Sequence, residues 1–160
     1  MALPVGAKAP AITLKTKTAT GLADVALLRN AGKGKTVLLF VPFAFTGVCT
    51  EELCSIKDSL NIYGSLNADV IAVSVDSPFT QEIWAEKNGL NFTLASDFNK
   101  EAITAYDVRE DNFLPGVLGY AGVAKRSVFV IGTDGVVNYA WSSDVPSVMP
   151  PFDEVKRALA

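Results

Sequence analysis

Phe40–Cys54, FVPFAFTGVCTEELC, contains both cysteines of the chain and joins an apolar run to a helical pattern. Val37–Val41 is short and continuously apolar, as expected of a strand buried on both faces. Leu53, Ile56 and Leu60 recur at three- and four-residue spacing, which predicts a helix, with Pro42 and the turn Thr46-Gly47 lying between the two elements. If Thr46 is the N-cap, Cys49 occupies the third helical position. A thiolate there meets unpaired backbone N–H groups and the positive end of the helix dipole, both of which favour it over the thiol. The chain contains no histidine, which removes a Cys-His catalytic pair and most zinc sites from consideration.

Outward from this stretch, Val70–Val75 repeats the buried-strand signature after the helix and completes a βαβ unit, whose right-handed crossover pairs the two strands in parallel. Thr80–Asn88 reads as a second helix closed by Gly89, Phe92–Ala95 as a strand, and Asp97 or Asn99 as the cap of a short helix through Tyr106. Asp107–Lys125 is a long connection with Pro115 and three glycines, and such segments are more often functional than idle. Ser127–Ile131 and Val136–Trp141 flank Gly132-Thr133-Asp134-Gly135 as a hairpin, and Phe152, Val155 and Leu159 mark a C-terminal helix. Toward the N-terminus, Ala11–Leu14 and Thr16–Gly21 suggest a short hairpin followed by a surface stretch, Leu22–Asn30. The expected fold is α/β, a mixed central β-sheet flanked by helices with an N-terminal hairpin extension, in one domain spanning residues 1–160.

Apolar residues make up 49% and charged residues 19%, with 14 basic against 17 acidic side chains and a net charge of −3. No block of like charges occurs, so nucleic acid and anionic membrane are not expected partners. Met1–Pro10 holds Pro4, Gly6 and Lys8 instead of an apolar leader, and no run approaches the roughly 18 apolar residues of a membrane span. A cytoplasmic location is expected. Two cysteines in a reducing compartment point to redox chemistry or burial before a structural disulfide.

Active sites of open α/β sheets lie at the carboxyl ends of strands, where Pro42–Cys49 falls. Pro42 ends the strand without leaving an N–H donor, and Thr46 offers a hydroxyl one turn ahead of the sulfur. Glu51 and Glu52 oppose an anionic sulfur, so a nearby cation is required. Of the four arginines, Arg29 and Arg157 lie in segments read as surface and Arg109 in the long loop. Arg126 immediately precedes the buried strand Ser127–Ile131, from which a fixed guanidinium could pair with Glu52 and face the sulfur together. The bland alternative is an ordinary surface arginine at a strand edge.

The string Pro42-x3-Thr46-x2-Cys49 resembles the peroxiredoxin signature, with Glu52 and Arg126 standing where that family's remaining active-site residues stand. Gly6-x2-Ala9-Pro10-x-Ile12-x-Leu14 resembles the family's N-terminus, so the likeness covers essentially the whole chain. Ala121–Val130 and the short C-terminus are most similar to the one-cysteine alkyl hydroperoxide reductase E type. A second cysteine five residues after the first is similar instead to the bacterioferritin-comigratory-protein type. The resemblance implies a thioredoxin-like fold and a thiol-dependent peroxidase without metal or organic cofactor. By it, Cys49 attacks hydrogen peroxide or an alkyl hydroperoxide and becomes a sulfenic acid, while Thr46, the Cys49 N–H and Arg126 hold the peroxide oxygens and Pro42 shields the sulfur. The implied reductant is thioredoxin, glutaredoxin or a low-molecular-weight thiol.

Cys54 is the candidate resolving thiol. At about 100° per residue it lies roughly 140° from Cys49 and off the apolar stripe, and five residues of helix rise about 7.5 Å, beyond the roughly 7 Å limit for a disulfide. An intramolecular bond therefore requires the first turns of the helix to unwind. The alternative is a small buried residue packed beside the stripe. The rivals for function are a redox-sensing adaptor, a catalytically idle thioredoxin-like binding module, and a metal site, which lacks ligands. Phe113, Leu114, Val117, Leu118 and Tyr120 form an apolar cluster in the long loop, suggesting a homodimer contact near the site or packing onto the protein's own core.

Overall fold

The computed structural model describes residues 2–160; Met1, the first residue of the segment read for a leader, lies outside them. Strands β1 (Thr13–Thr18) and β2 (Gly21–Ala26) pair antiparallel as the expected N-terminal hairpin. The first part of the stretch read as surface, from Leu22, is thus a strand. Within β2 only Val25 is buried, and a largely exposed edge strand carries little apolar alternation to read.

β3 (Lys35–Phe40), α1 (Gly47–Asp58), α2 (Leu60–Ser65) and β4 (Ala68–Ser74) follow, and β3 pairs with β4 in parallel, as the βαβ reading requires. α3 (Pro78–Asn88) starts at Ser77, whose hydroxyl accepts from the Thr80 N–H, and stops at Gly89. There φ is +61°, a left-handed conformation that glycine adopts without a Cβ penalty. β5 (Thr93–Ser96) leads to α4 (Glu101–Ala105). Lys100 holds the N-cap position, but the Asp97 carboxylate accepts from the Ala102 and Ile103 N–H groups at 3.0 and 2.9 Å and satisfies the helix start.

The long connection is pinched: β6 (Arg109–Glu110) pairs with β7 (Val123–Ala124), and Phe113 bridges Tyr120 beyond them. β8 (Ser127–Ile131) and β9 (Val137–Ser142) form the predicted hairpin, and α5 (Phe152–Leu159) ends the chain.

The main sheet has seven strands in the order β2-β1-β5-β4-β3-β8-β9. Alternation along β3 sends Leu38 and Phe40 to one face, against Ile103, Tyr106 and Phe129. Val37, Leu39 and Val41 face the other, against Leu53 and Ile56 of α1, Trp84 of α3 and Val155 of α5. Both faces are covered, which explains the unbroken apolar run, and each such leucine contributes about 2 kcal/mol on burial. Register then places the site. Phe40 pairs with Ser127 in antiparallel sense, so the residue after Phe40 stands beside the residue before Ser127. Arg126 is thereby delivered to the carboxyl end of β3, next to Pro42–Cys49.

Candidate active site

The ladder of β3 extends one residue past the strand, where the Val41 N–H donates to the Val73 carbonyl at 3.0 Å. Pro42, buried and without an N–H, ends it. The chain turns through Phe45, whose φ is +66°; for a residue with a Cβ this conformation costs on the order of 1 kcal/mol. Thr46 is the N-cap of α1, with extended φ and ψ, as expected. Its hydroxyl does not cap the helix, however: Oγ1 donates to the Phe43 carbonyl at 3.0 Å. Cys49 occupies the third position of α1 and is 1% exposed.

Arg126 is 2% exposed, which rules out the surface alternative. Its Nη1 donates to Glu52 Oε2, its Nη2 to Cys49 Sγ at 3.3 Å, and its Nε to the Pro146 carbonyl at 2.9 Å. The guanidinium is thus held on three sides and presents two of its nitrogens to acidic groups. The helix separates the two glutamates: Glu51 is exposed, whereas Glu52, one position on, is fully buried. Burial pushes the Glu52 carboxyl up to about 7, with the charge and hydrogen bond of Arg126 pulling it down only in part. Its Oε1 has no hydrogen-bond partner. For Arg126, loss of water opposes the charge, but Glu52 and Cys49 outweigh that and raise its pKa above the ordinary value.

Above this cluster lies a cleft of about 400 Å³ lined by Pro42, Thr46, Gly47, Cys49 and Arg126, with apolar walls from Phe43, Val48, Phe113, Leu118 and Val145. The Phe113 and Tyr120 rings meet Phe43 edge-on at 5.6 and 6.2 Å. The long loop therefore packs in part on its own chain, with Phe113 buried, while Leu114, Val117, Leu118 and Tyr120 stay exposed. Five of the six residues singled out from the sequence, Pro42, Thr46, Cys49, Glu52 and Arg126, converge here. Cys54 does not join them: it is half-buried on α1, and both cysteines are free thiols. The Pro146 carbonyl and the Val145 wall were not foreseen. The turn after β9 carries no motif, and only the position of Pro146 beyond a strand end hinted at it.

The sequence profile of the AhpC/TSA family matches residues 5–140. The chain is 36% identical over 141 residues to alkyl hydroperoxide reductase E of Mycobacterium tuberculosis strain H37Rv, covering 86% of this chain and 84% of that protein. It is 38% identical over 135 residues to the mitochondrial thioredoxin-dependent peroxide reductase of Rattus norvegicus, covering 78% of this chain and 49% of that one. The structure of the Xanthomonas campestris bacterioferritin comigratory protein superposes with a TM-score of 0.77 at 26% identity, covering 92% of this chain and 89% of that one.

Arg126→Lys should lower peroxidase kcat/KM by about 100-fold, because a single ammonium cannot bind Glu52, Pro146 and the sulfur together. Arg109→Lys, whose exposed partner is Asp111 at 2.9 Å, should change it by less than about threefold. Equal losses in steady-state assays would mean that the wrong arginine has been chosen. The titration of Glu52 has its own signature. A carboxyl raised from 4.5 to about 7 on folding contributes stability that is present below the unfolded value and lost as pH rises through the folded one. Between about pH 5 and pH 8, resistance to urea unfolding should fall more steeply with rising pH for wild type than for Glu52→Gln. Parallel pH profiles would place the titration elsewhere.

Proposed function

The chain belongs to the AhpC/TSA family of peroxiredoxins, which are thiol-dependent peroxidases, and from that premise we propose that Cys49 is the peroxide-reducing nucleophile, resolved by Cys54. The observation that carries this reading is the Arg126 guanidinium, buried between Glu52 and the Cys49 sulfur at the base of an open cleft. An idle binding module has no use for a buried cation aimed at a thiol, since burying charge is costly.

The Cys49 thiolate attacks the terminal peroxide oxygen, an S–O bond forms as the O–O bond breaks, and the leaving oxygen departs as water or alcohol after taking from solvent the proton that the thiol released on ionising. Arg126 and the Cys49 N–H stabilise charge on that oxygen. Thr46, whose hydroxyl proton is engaged by the Phe43 carbonyl, keeps lone pairs to accept the peroxide O–H. The apolar walls suit an alkyl hydroperoxide, as the alkyl peroxide reduction activity of the Xanthomonas campestris protein also suggests. Hydrogen peroxide is small enough to enter the same cleft. The sulfenic acid then condenses with the Cys54 thiol, releasing water and forming a disulfide. Because α1 is continuous from Gly47 to Asp58, its first turns must open for that step. A dithiol such as thioredoxin, on which the mitochondrial peroxide reductase of Rattus norvegicus depends, restores both thiols by exchange. The exposed Leu114, Val117, Leu118 and Tyr120 fit a homodimer contact beside the cleft.

Non-reducing mass spectrometry after one equivalent of peroxide tests the scheme. Wild type should lose about two hydrogens, Cys54→Ser should gain oxygen and over-oxidise, and Cys49→Ser should consume no peroxide. Peroxide turnover by Cys49→Ser would end the enzyme assignment to this sulfur. A wild-type product that stops at the sulfenic acid, or forms only mixed disulfides with added thiol, would make Cys54 a bystander. Sedimentation velocity should detect a dimer at high protein concentration, and a monomer there removes the homodimer.

A further inference from the structure

The turn that carries Cys49 is tied down at one amide. Among the described residues, the Ala44 N–H is the only amide of residues 43–46 that reaches a protein acceptor, and that acceptor is Asp76 Oδ2 at 2.7 Å. The same oxygen accepts from Ser74 Oγ at 2.7 Å. Ser74, which is buried, in turn accepts from the buried Gln81 Nε2 at 2.9 Å, and the other Gln81 contact, to the Ala95 carbonyl at 2.9 Å, fixes the orientation of its amide. Gln81 has only donors to offer at that nitrogen and Ser74 has one proton, so the chain of bonds runs in a single direction, from Gln81 through Ser74 to Asp76. Ser96 Oγ donates to the Asp76 carbonyl at 2.6 Å and holds its backbone as well. A carboxylate supported by Ser74 at its accepting oxygen and by Ser96 at its own backbone is thus aimed at one peptide N–H of the turn.

That peptide lies one residue before the strained position. Phe45, next in sequence, has φ +66° and a half-exposed ring whose recorded aromatic contact is a tilted one to Trp84 at 6.4 Å, too distant to hold a conformation that a Cβ resists. Immediately after it come the N-cap Thr46 and then Cys49, so any relaxation of Phe45 swings the start of α1 away from Arg126. We infer that Asp76 is a positioning residue for the peroxide reaction: by gripping the Ala44 N–H, it holds Phe45 in its strained conformation and the first turn of α1 against Arg126. This rests on the reading of Cys49 as the nucleophile. Asp76 itself touches neither the sulfur nor Arg126, and its influence on the reaction passes through the backbone alone.

The test combines kinetics with amide exchange on the reduced protein. The second-order rate constant for oxidation by hydrogen peroxide should fall about tenfold in Asp76→Ala and by less than about threefold in Asp76→Asn, whose amide oxygen can still accept from Ala44. Adding Phe45→Gly to Asp76→Ala should recover most of the loss, because glycine occupies positive φ without strain. A merely destabilising role for Asp76 predicts no such rescue, since Phe45→Gly also removes an aromatic ring. Hydrogen exchange reads the grip directly: the Ala44 amide should be protected in wild type, unprotected in Asp76→Ala and partly protected in Asp76→Asn, with the amides of β3 unchanged. If Asp76→Ala does not fold, the wild-type and Asp76→Asn exchange rates decide. An unprotected wild-type Ala44 amide, a wild-type oxidation rate in Asp76→Ala, or a double variant no faster than the single one would overturn the inference. Peroxide consumption by Cys49→Ser would instead overturn the assignment of the nucleophile, while leaving the exchange result standing.

Discussion

One guanidinium faces two acidic groups inside the protein. Removing a single ion from water costs several kcal/mol even after relaxation, on the order of the whole stability of a domain. The cluster of Arg126, Glu52 and Cys49 therefore persists only because its geometry is imposed from outside. The β3–β8 register brings Arg126 to the end of β3, α1 presents Glu52 and Cys49 one turn apart on its buried side, and the Pro146 carbonyl closes the remaining approach to Nε. Loss of water raises the Glu52 carboxyl, the charge and hydrogen bond of Arg126 offset that only in part, and its second oxygen is left without a partner.

The two faces of the sheet divide the work. One carries α4, Tyr106 and the N-terminal hairpin around an aromatic group in which Phe40, Tyr106 and Phe129 meet at 5.2–5.9 Å. It contributes no side chain to the cleft. The other carries α1, α2, α3 and α5, and its polar contacts reach the site: the Trp84 indole donates to Thr50 Oγ1 at 3.0 Å, tying α3 to the first turns of α1. A strained turn and a buried charge cluster sit on this face, and a well-packed opposite face lets them do so without loosening the sheet.

Much of this was legible because each signal was local. The run Val37–Val41 announced a strand covered on both faces, Gly89 announced a left-handed cap, and the spacing from Thr46 placed Cys49 at the third helical position. Arg126 could be chosen among four arginines because it adjoins a buried strand. What escaped depended on partners distant in sequence or on a choice between equivalent bonds. β2 exposes nearly all of its side chains, so it reads as surface until β1 is laid beside it. Thr46 could have capped α1, but its hydroxyl found the Phe43 carbonyl three residues back. Glu51 and Glu52 differ in sequence by one position and in the structure by complete burial, a distinction of helical phase that required knowing where α1 faces. The long loop was expected to be functional, and its pinching by β6 and β7 depends on residues more than ten positions apart.

The contact between Cys49 and Arg126 spans 77 positions of the chain. Closing a loop of that length is entropically unfavourable until the strands it joins have paired, so β8 docks beside β3 as a late, non-local event. During synthesis the cysteine emerges long before its cation. A nascent or partly unfolded chain therefore carries the Cys49 thiol without the guanidinium that lies against it in the folded protein, in a helix that short fragments scarcely hold. The surroundings of the Cys49 sulfur, Arg126 with Glu52 behind it, are acquired only together with tertiary structure.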